Sequence, residues 1–152
     1  MSFDTPNGTR GARQPSASRL MRWMNAWMMN RIRRKSGKVM GMNALVLTTV
    51  GRKSGQPRST PVGCFADGEN SWLIVASAAG APKNPAWYYN IAAHPDQIHI
   101  EMGGRKVDVT AVQLHGAERA QAWRKITDEV PRFAQYEQQT DRELPIIRLT
   151  AR

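Results

Sequence analysis

Apolar positions along the chain follow two different periods, and the change from one to the other outlines the fold. From Ser16 or Ser18, either a suitable N-cap, the segment to Gly37 repeats at helical spacing. At 100° per residue, Leu20, Met21, Trp23, Met24, Trp27, Met28 and Ile32 share one broad arc, opposite Arg19, Arg22, Asn25 and Arg33. This predicts an amphipathic helix over residues 16–37, its last turn loaded with Arg33, Arg34 and Lys35. Beyond it the pattern shortens to that of strands. Leu47–Val62 reads as a β-hairpin broken by Gly-Arg-Lys-Ser-Gly, Asp67-Gly68 marks a turn, and Ser71–Ser77 is a buried strand. Gln97–Met102 and Lys106–Leu114 alternate around Gly103-Gly104 as a second hairpin, with Ile98, Ile100 and Met102 on one face.

Between these strands only short helices fit. Pro85 suits a helix N1 position, and a short helix runs from it to His94-Pro95. Gly116–Val130 reads as an amphipathic helix built on Ala117, Ala120, Trp123, Ile126 and Val130 and stopped by Pro131. Arg132–Thr140 is polar with aromatic residues, either helix or loop, and Pro145–Leu149 is a final strand. Five or six antiparallel strands with short inserted helices predict an α+β, mainly β, small barrel. No G-x-G-x-x-G element leads from a strand into a helix, so a Rossmann dinucleotide site is not encoded. Residues 1–15 are almost free of large apolar side chains and read as a disordered tail, leaving 38–152 as one barrel domain.

Charge changes this picture by its location. The net +10 is concentrated at the start: residues 1–38 carry nine Lys/Arg against one acid, residues 39–152 thirteen against eleven. A nearly neutral domain is not a duplex-binding surface, and nucleic acid is not an expected partner. A single Cys64 excludes an internal disulfide, and no window approaches the roughly 20 apolar residues that cross a bilayer. The expected location is cytoplasmic, with a peripheral place at the inner face of the membrane open to the helix at 16–37. That helix would dock on the barrel, on a second subunit of a homodimer, or on lipid.

Candidate chemistry gathers at the first hairpin. Arg52, Lys53, Ser54, Gly55 and Arg58 put three cations, a hydroxyl and turn N–H groups at one tip, an anion receptor by composition. His94, His99 and His115 have no metal-ligand spacing, and Cys64 reads as a small core residue. The demanding chemistry would come from a cofactor.

Four strings then carry a resemblance: TTVGRKSGQPRSTPV (48–62), SAAGAPKNPAWYYNIAAHP (77–95), the strand pair around Gly103-Gly104, and TDRELPIIRL (140–149). Over about residues 38–150 and in matching order, they resemble the deazaflavin-dependent nitroreductases. These split-barrel proteins bind coenzyme F420 and include quinone reductases and activators of nitroimidazole prodrugs. The resemblance implies a split β-barrel of the FMN-binding type and hydride transfer from the reduced coenzyme to a quinone, enone or nitroaromatic. It also implies site residues. Arg52, Lys53 and Arg58 would bind the phosphodiester and oligoglutamate tail, and Thr60, Pro61 and Val62 would lie against the deazaflavin ring. Ser77, Ala78 and the following N–H groups would meet its polar edge, and Lys83, Trp87 and Asn90 would close the site. Tyr136 is the candidate for positioning the acceptor. Departures from the family pattern are Ser77-Ala78-Ala79-Gly80, where Ser-Lys-Gly-Gly is common, and Tyr89, where His is frequent. The alternatives are an FMN-binding split-barrel reductase, a non-catalytic F420-binding protein, and a basic membrane- or RNA-associated module.

Overall fold

In a computed structural model, residues 3–12, 19–35, 38–39 and 42–152 are described. The element order is α1 (Arg19–Arg34), β1 (Lys38–Val39), β2 (Met42–Val50), β3 (Pro57–Gly63), β4 (Phe65–Ala66) and β5 (Ser71–Val75). A 3₁₀ turn (Ala78–Gly80), α2 (Ala86–Ala93), β6 (Ile98–Met102), β7 (Arg105–Gln113), α3 (Gly116–Glu129), α4 (Arg132–Gln139) and β8 (Ile146–Ala151) follow. The proposed caps of the first helix at Ser16, Ser18 and Gly37 lie outside the described residues.

The strands form one curled antiparallel sheet in the order β1-β2-β6-β7-β8-β5-β4, with β3 paired to β2 off this path. The six expected strands are present, and the two further ones, β1 and β4, are two residues long, too short to show a period. Residues 44–47 of β2 are apolar without interruption because both faces of the strand are covered there. Leu45 and Leu47 enter the main core with Trp72, Ile74, Tyr88, Ile91, Ile98 and Ile100. Ala44 and Val46, alternating with them, meet Ile32, Met28 and Met29 of α1. A second core joins Leu73, Val75 and Ile146 to Ala122 and Ile126 of α3 and Phe133 of α4.

One expectation is corrected and two are met. Arg132–Gln139 is a helix, α4. In α3 the buried stripe is Ala122 and Ile126, while Ala117 and Ala120 are exposed; alanine contributes too little surface to fix a helix's rotation. Cys64 lies between β3 and β4 and is 5% exposed, and burial pushes its thiol up to about 11.

Helix α1 docks through its C-terminal half only. Ile32 is buried, and the β6–β7 turn closes the helix end, with the N–H groups of Gly103 and Gly104 donating to the carbonyls of Ile32 and Arg33 at 3.0 and 2.6 Å. Leu20, Trp23 and Trp27 stay 65, 67 and 59% exposed.

Residues 3–12 differ from the disordered tail expected of them. They form no helix or strand but follow a fixed path. Thr5 is buried: its N–H donates to the Tyr88 hydroxyl (3.1 Å), its hydroxyl accepts from Gln113 Nε2 (2.7 Å), and its carbonyl accepts from Asn84 Nδ2 (3.0 Å). Gly8 N–H donates to Pro82 O and Ala12 N–H to Gly80 O. Hydrogen bonds to polar groups of the barrel, invisible in local composition, supply the order together with Phe3, which packs on the main core edge-on to Tyr88.

Candidate functional site

The β2–β3 hairpin pairs from Ala44↔Gly63 to Val50↔Pro57, and this register sets its tip. Gly51 N–H donates to Gln56 O and Gly55 N–H to Gly51 O, both at 2.8 Å, which closes the turn. Gly55 has φ +70°, a conformation that side chains disfavour. The closed tip leaves Arg52, Lys53 and Arg58 exposed, and among the described residues none of the three forms an ion pair with a carboxylate.

Helix α2 supplies the opposing wall. Asn90, buried, accepts from the backbone N–H of Arg52 (3.1 Å) and donates through Nδ2 to Thr49 Oγ1 (3.1 Å), tying helix to hairpin. The Arg52 guanidinium lies over the Tyr89 ring, 4.6 Å from its centroid. Between the two walls runs a cleft of ≈ 340 Å³, its lining including Arg52, Lys53, Arg58, Thr60, Trp87 and Asn90. Such a cleft pairs anion donors with an aromatic, half-buried side wall.

Six of the residues expected at the site thus meet in one cleft. Pro61 and Val62, the next residues of β3, line a separate cavity of ≈ 250 Å³, shared with Asn25 and Met28 of α1 and with Met42. Ser77, Ala78 and Lys83 are not among the residues lining either space. Ser77 and Ala78 are half-buried beside the 3₁₀ turn, and Lys83 is exposed. Ala78 and Ala79 hold φ +46° and +53°, left-handed values rare for alanine. Tyr136 lies outside the cleft lining, packed edge-on against Phe133 (5.7 Å) beside the second core.

Sequence reasoning assigned no role to Arg142, although it lies within a quoted string. It is 3% exposed and donates to four oxygens: Ala76 O (2.8 Å), Ser77 O (2.8 Å), Ala81 O (3.2 Å) and Asn84 Oδ1 (2.7 Å). Burial lowers its pKa from the usual guanidinium value, opposed by Tyr89 and Tyr88. The only prior signal was a cation next to a predicted strand. Three of its four partners are backbone carbonyls, which no residue pattern reveals.

The curled antiparallel sheet with short flanking helices has the split-barrel architecture, and one of its clefts is lined by three cations and a tryptophan. Comparison with known proteins narrows this class. The chain belongs to the F420H(2)-dependent quinone reductase family, whose model matches residues 20–151. It is 38% identical over 112 residues to the F420H(2)-dependent quinone reductase Rv1261c of Mycobacterium tuberculosis, covering 72% of this chain and 74% of that protein. A solved F420-H2 dependent reductase, FDR-A, superposes with a TM-score of 0.63 at 34% identity, over 70% of this chain and 92% of the other. A second solved structure, described as a domain-swapped dimer, gives 0.65 at 29% identity, over 86% of this chain and 92% of its own. The protein is therefore an F420-dependent oxidoreductase, and its cofactor is reduced coenzyme F420. The donor set fits that group: three cations without carboxylate partners face a cleft with an aromatic wall, as an anionic chain attached to a flat ring requires.

Proposed function

We propose that coenzyme F420 lies along β3, and that this chain reduces a lipid-soluble quinone. The observation that carries the placement is the convergence of Arg52, Lys53 and Arg58 with Trp87 and Asn90 on one cleft. In this reading the three cations hold the phosphodiester and glutamate tail. Thr60, Pro61 and Val62 carry the ring onward along the strand. Ser77 and Ala78 present backbone to its polar edge, Lys83 adds a cation from the loop, and Trp87 excludes water from one side. When bound, the reduced deazaflavin supplies a hydride to the acceptor, and a proton from water completes the quinol. Tyr136 is assigned to positioning the acceptor, since α4, which carries it, packs against the 78–80 turn. Holding the reactants in one geometry supplies much of the rate.

Titration of the purified protein with oxidised F420 and with FMN tests this reading. Tight binding of F420, weakened at least about tenfold in Arg52→Ala and Arg58→Ala, is expected. Tight FMN binding with none of F420 would overturn it.

The exposed Leu20, Met24, Trp23 and Trp27 favour a second element of the proposal, peripheral attachment to an anionic membrane surface. Arg19, Arg22, Arg31 and Arg34 on the same helix supply the matching charge. No described helix is long and apolar enough to cross a membrane. Attachment at the cytoplasmic face would place the cleft near a quinone dissolved in lipid. A homodimer is the competing use of the same face, in keeping with the domain-swapped relative. Flotation with anionic liposomes of a protein monomeric in solution supports attachment. A stable dimer that does not float overturns it.

A further inference from the structure

The N-terminal segment reaches the edge of the cofactor cleft. Asn7 Oδ1 accepts from the Tyr89 hydroxyl at 2.6 Å and from the Asn84 N–H at 2.9 Å. On the far side of the same tyrosine, the Arg52 guanidinium rests over the ring. The segment is anchored on both sides of Asn7. Upstream, Thr5 bonds to Tyr88, Gln113 and Asn84. Downstream, Asp141 takes the Thr9 hydroxyl and the N–H groups of Thr9 (2.8 Å) and Arg10 (2.9 Å), while Thr140 Oγ1 donates to Arg10 O (2.6 Å).

We propose that residues 3–12 form a strap which, through Asn7 and Tyr89, positions Arg52 for the anionic end of the cofactor. The inference rests on the placement of that end proposed above. An exposed arginine at a hairpin tip samples many rotamers, and ordering it on a ligand costs binding energy. Tyr89 gives the guanidinium a platform, and that platform is steady only if the ring is. The ring is held edge-on against Tyr88 (centroids 5.5 Å apart), and its hydroxyl donates to Asn7 of the strap and accepts from Asn84 Nδ2 (3.4 Å), a side chain that also donates to Thr5 O of the strap. Residues on a segment far from the hairpin in sequence therefore act on cofactor affinity without touching the cofactor. Asn7 and Tyr89 are positioning residues.

The test compares two ligands. One is oxidised F420 with its phosphodiester and glutamate tail, and the other is the ring with its ribityl chain alone. Each is titrated by fluorescence against the full chain and against Asn7→Ala, Tyr89→Phe, Arg52→Ala and the Asn7→Ala/Arg52→Ala pair. Asn7→Ala and Tyr89→Phe are expected to weaken the full coenzyme about three- to tenfold and to leave the ring fragment unchanged. In the Arg52→Ala background, Asn7→Ala should add nothing. Equal loss for both ligands, or full additivity of Asn7→Ala with Arg52→Ala, overturns the strap while leaving the cleft assignment in place. No loss in Arg52→Ala itself overturns the cleft assignment and the strap with it. Tyr89→Phe keeps the ring platform and removes its hydroxyl's bonds to Asn7 and to Asn84, itself bonded to the strap through Thr5 and Asn7, so it decides the case should Asn7→Ala fold poorly.

Discussion

The two segments that precede the barrel, the polar strap at residues 3–12 and the amphipathic helix α1, reverse the usual relation between composition and order. The strap, poor in large apolar side chains, is tied down along its length, whereas the helix, rich in Trp and Met, leaves half of its apolar face bare. Unmet demand on the barrel explains both. Tyr88, Asn84 and Gln113 are buried polar groups that need partners, and Thr5 and Asn7 supply them. Beneath α1, Ala44 and Val46 offer a small apolar surface that Ile32, Met28 and Met29 already fill. Trp23 and Trp27 take no part in that contact and stay exposed.

This contrast can be broken most forcefully at Arg142, which shapes the loop that the strap lies on. Arg142→Met should cost about 3 kcal/mol or more, because the carbonyls of Ala76, Ser77 and Ala81 lose their buried donor. Urea unfolding measures the loss, and a change below about 1 kcal/mol would show that the polar cluster is not what holds this end. On the helix side, Ile32→Ala should cost about 2–4 kcal/mol, since it empties the one fully buried contact of α1. A near-zero cost in the same assay would mean that α1 is not docked.

Asp141 sharpens the comparison through pH. The Thr9 hydroxyl, with the N–H groups of Arg10 and Thr9, holds its carboxyl down to about 2, below the ordinary 3.8. The carboxylate therefore secures the strap fully above about pH 4, and its hold is lost as pH falls toward 2. Hydrogen-exchange protection of the Thr9 and Arg10 amides, corrected for intrinsic rates, should fall across that window and not in Asp141→Asn. The smallest effect on stability belongs to the Trp pair: Trp23→Ser/Trp27→Ser should stay within about 0.5 kcal/mol of the parent while abolishing liposome flotation. A large stability loss would show that the tryptophans are packed after all.

Much of the cation-lined cleft was legible because hairpin chemistry is local. The Gly-Arg-Lys-Ser-Gly turn, the return strand bearing Arg58 and Thr60, and Trp87 with Asn90 one helical turn apart all announce themselves within a few residues. Arg142 and the Tyr89 platform were not legible, since each acts on groups 37 to 66 residues away along the chain. Tyr136 shows the limit from the other side. Its residue type suited a site role, but its position beside Phe133 depends on how α4 packs.

Periodicity alone determined the strand-rich fold, the hairpins and the amphipathic character of the first helix, because side-chain alternation and helical repeat are properties of the local backbone. Motif chemistry alone located the cluster of cations at the hairpin tip. Only the tertiary structure decided which face of α1 is covered, that a polar tail becomes a strap, and that Arg52 rests on Tyr89. Each of those outcomes depends on which buried groups still lack a partner once the barrel has closed, and that quantity does not exist until distant segments meet.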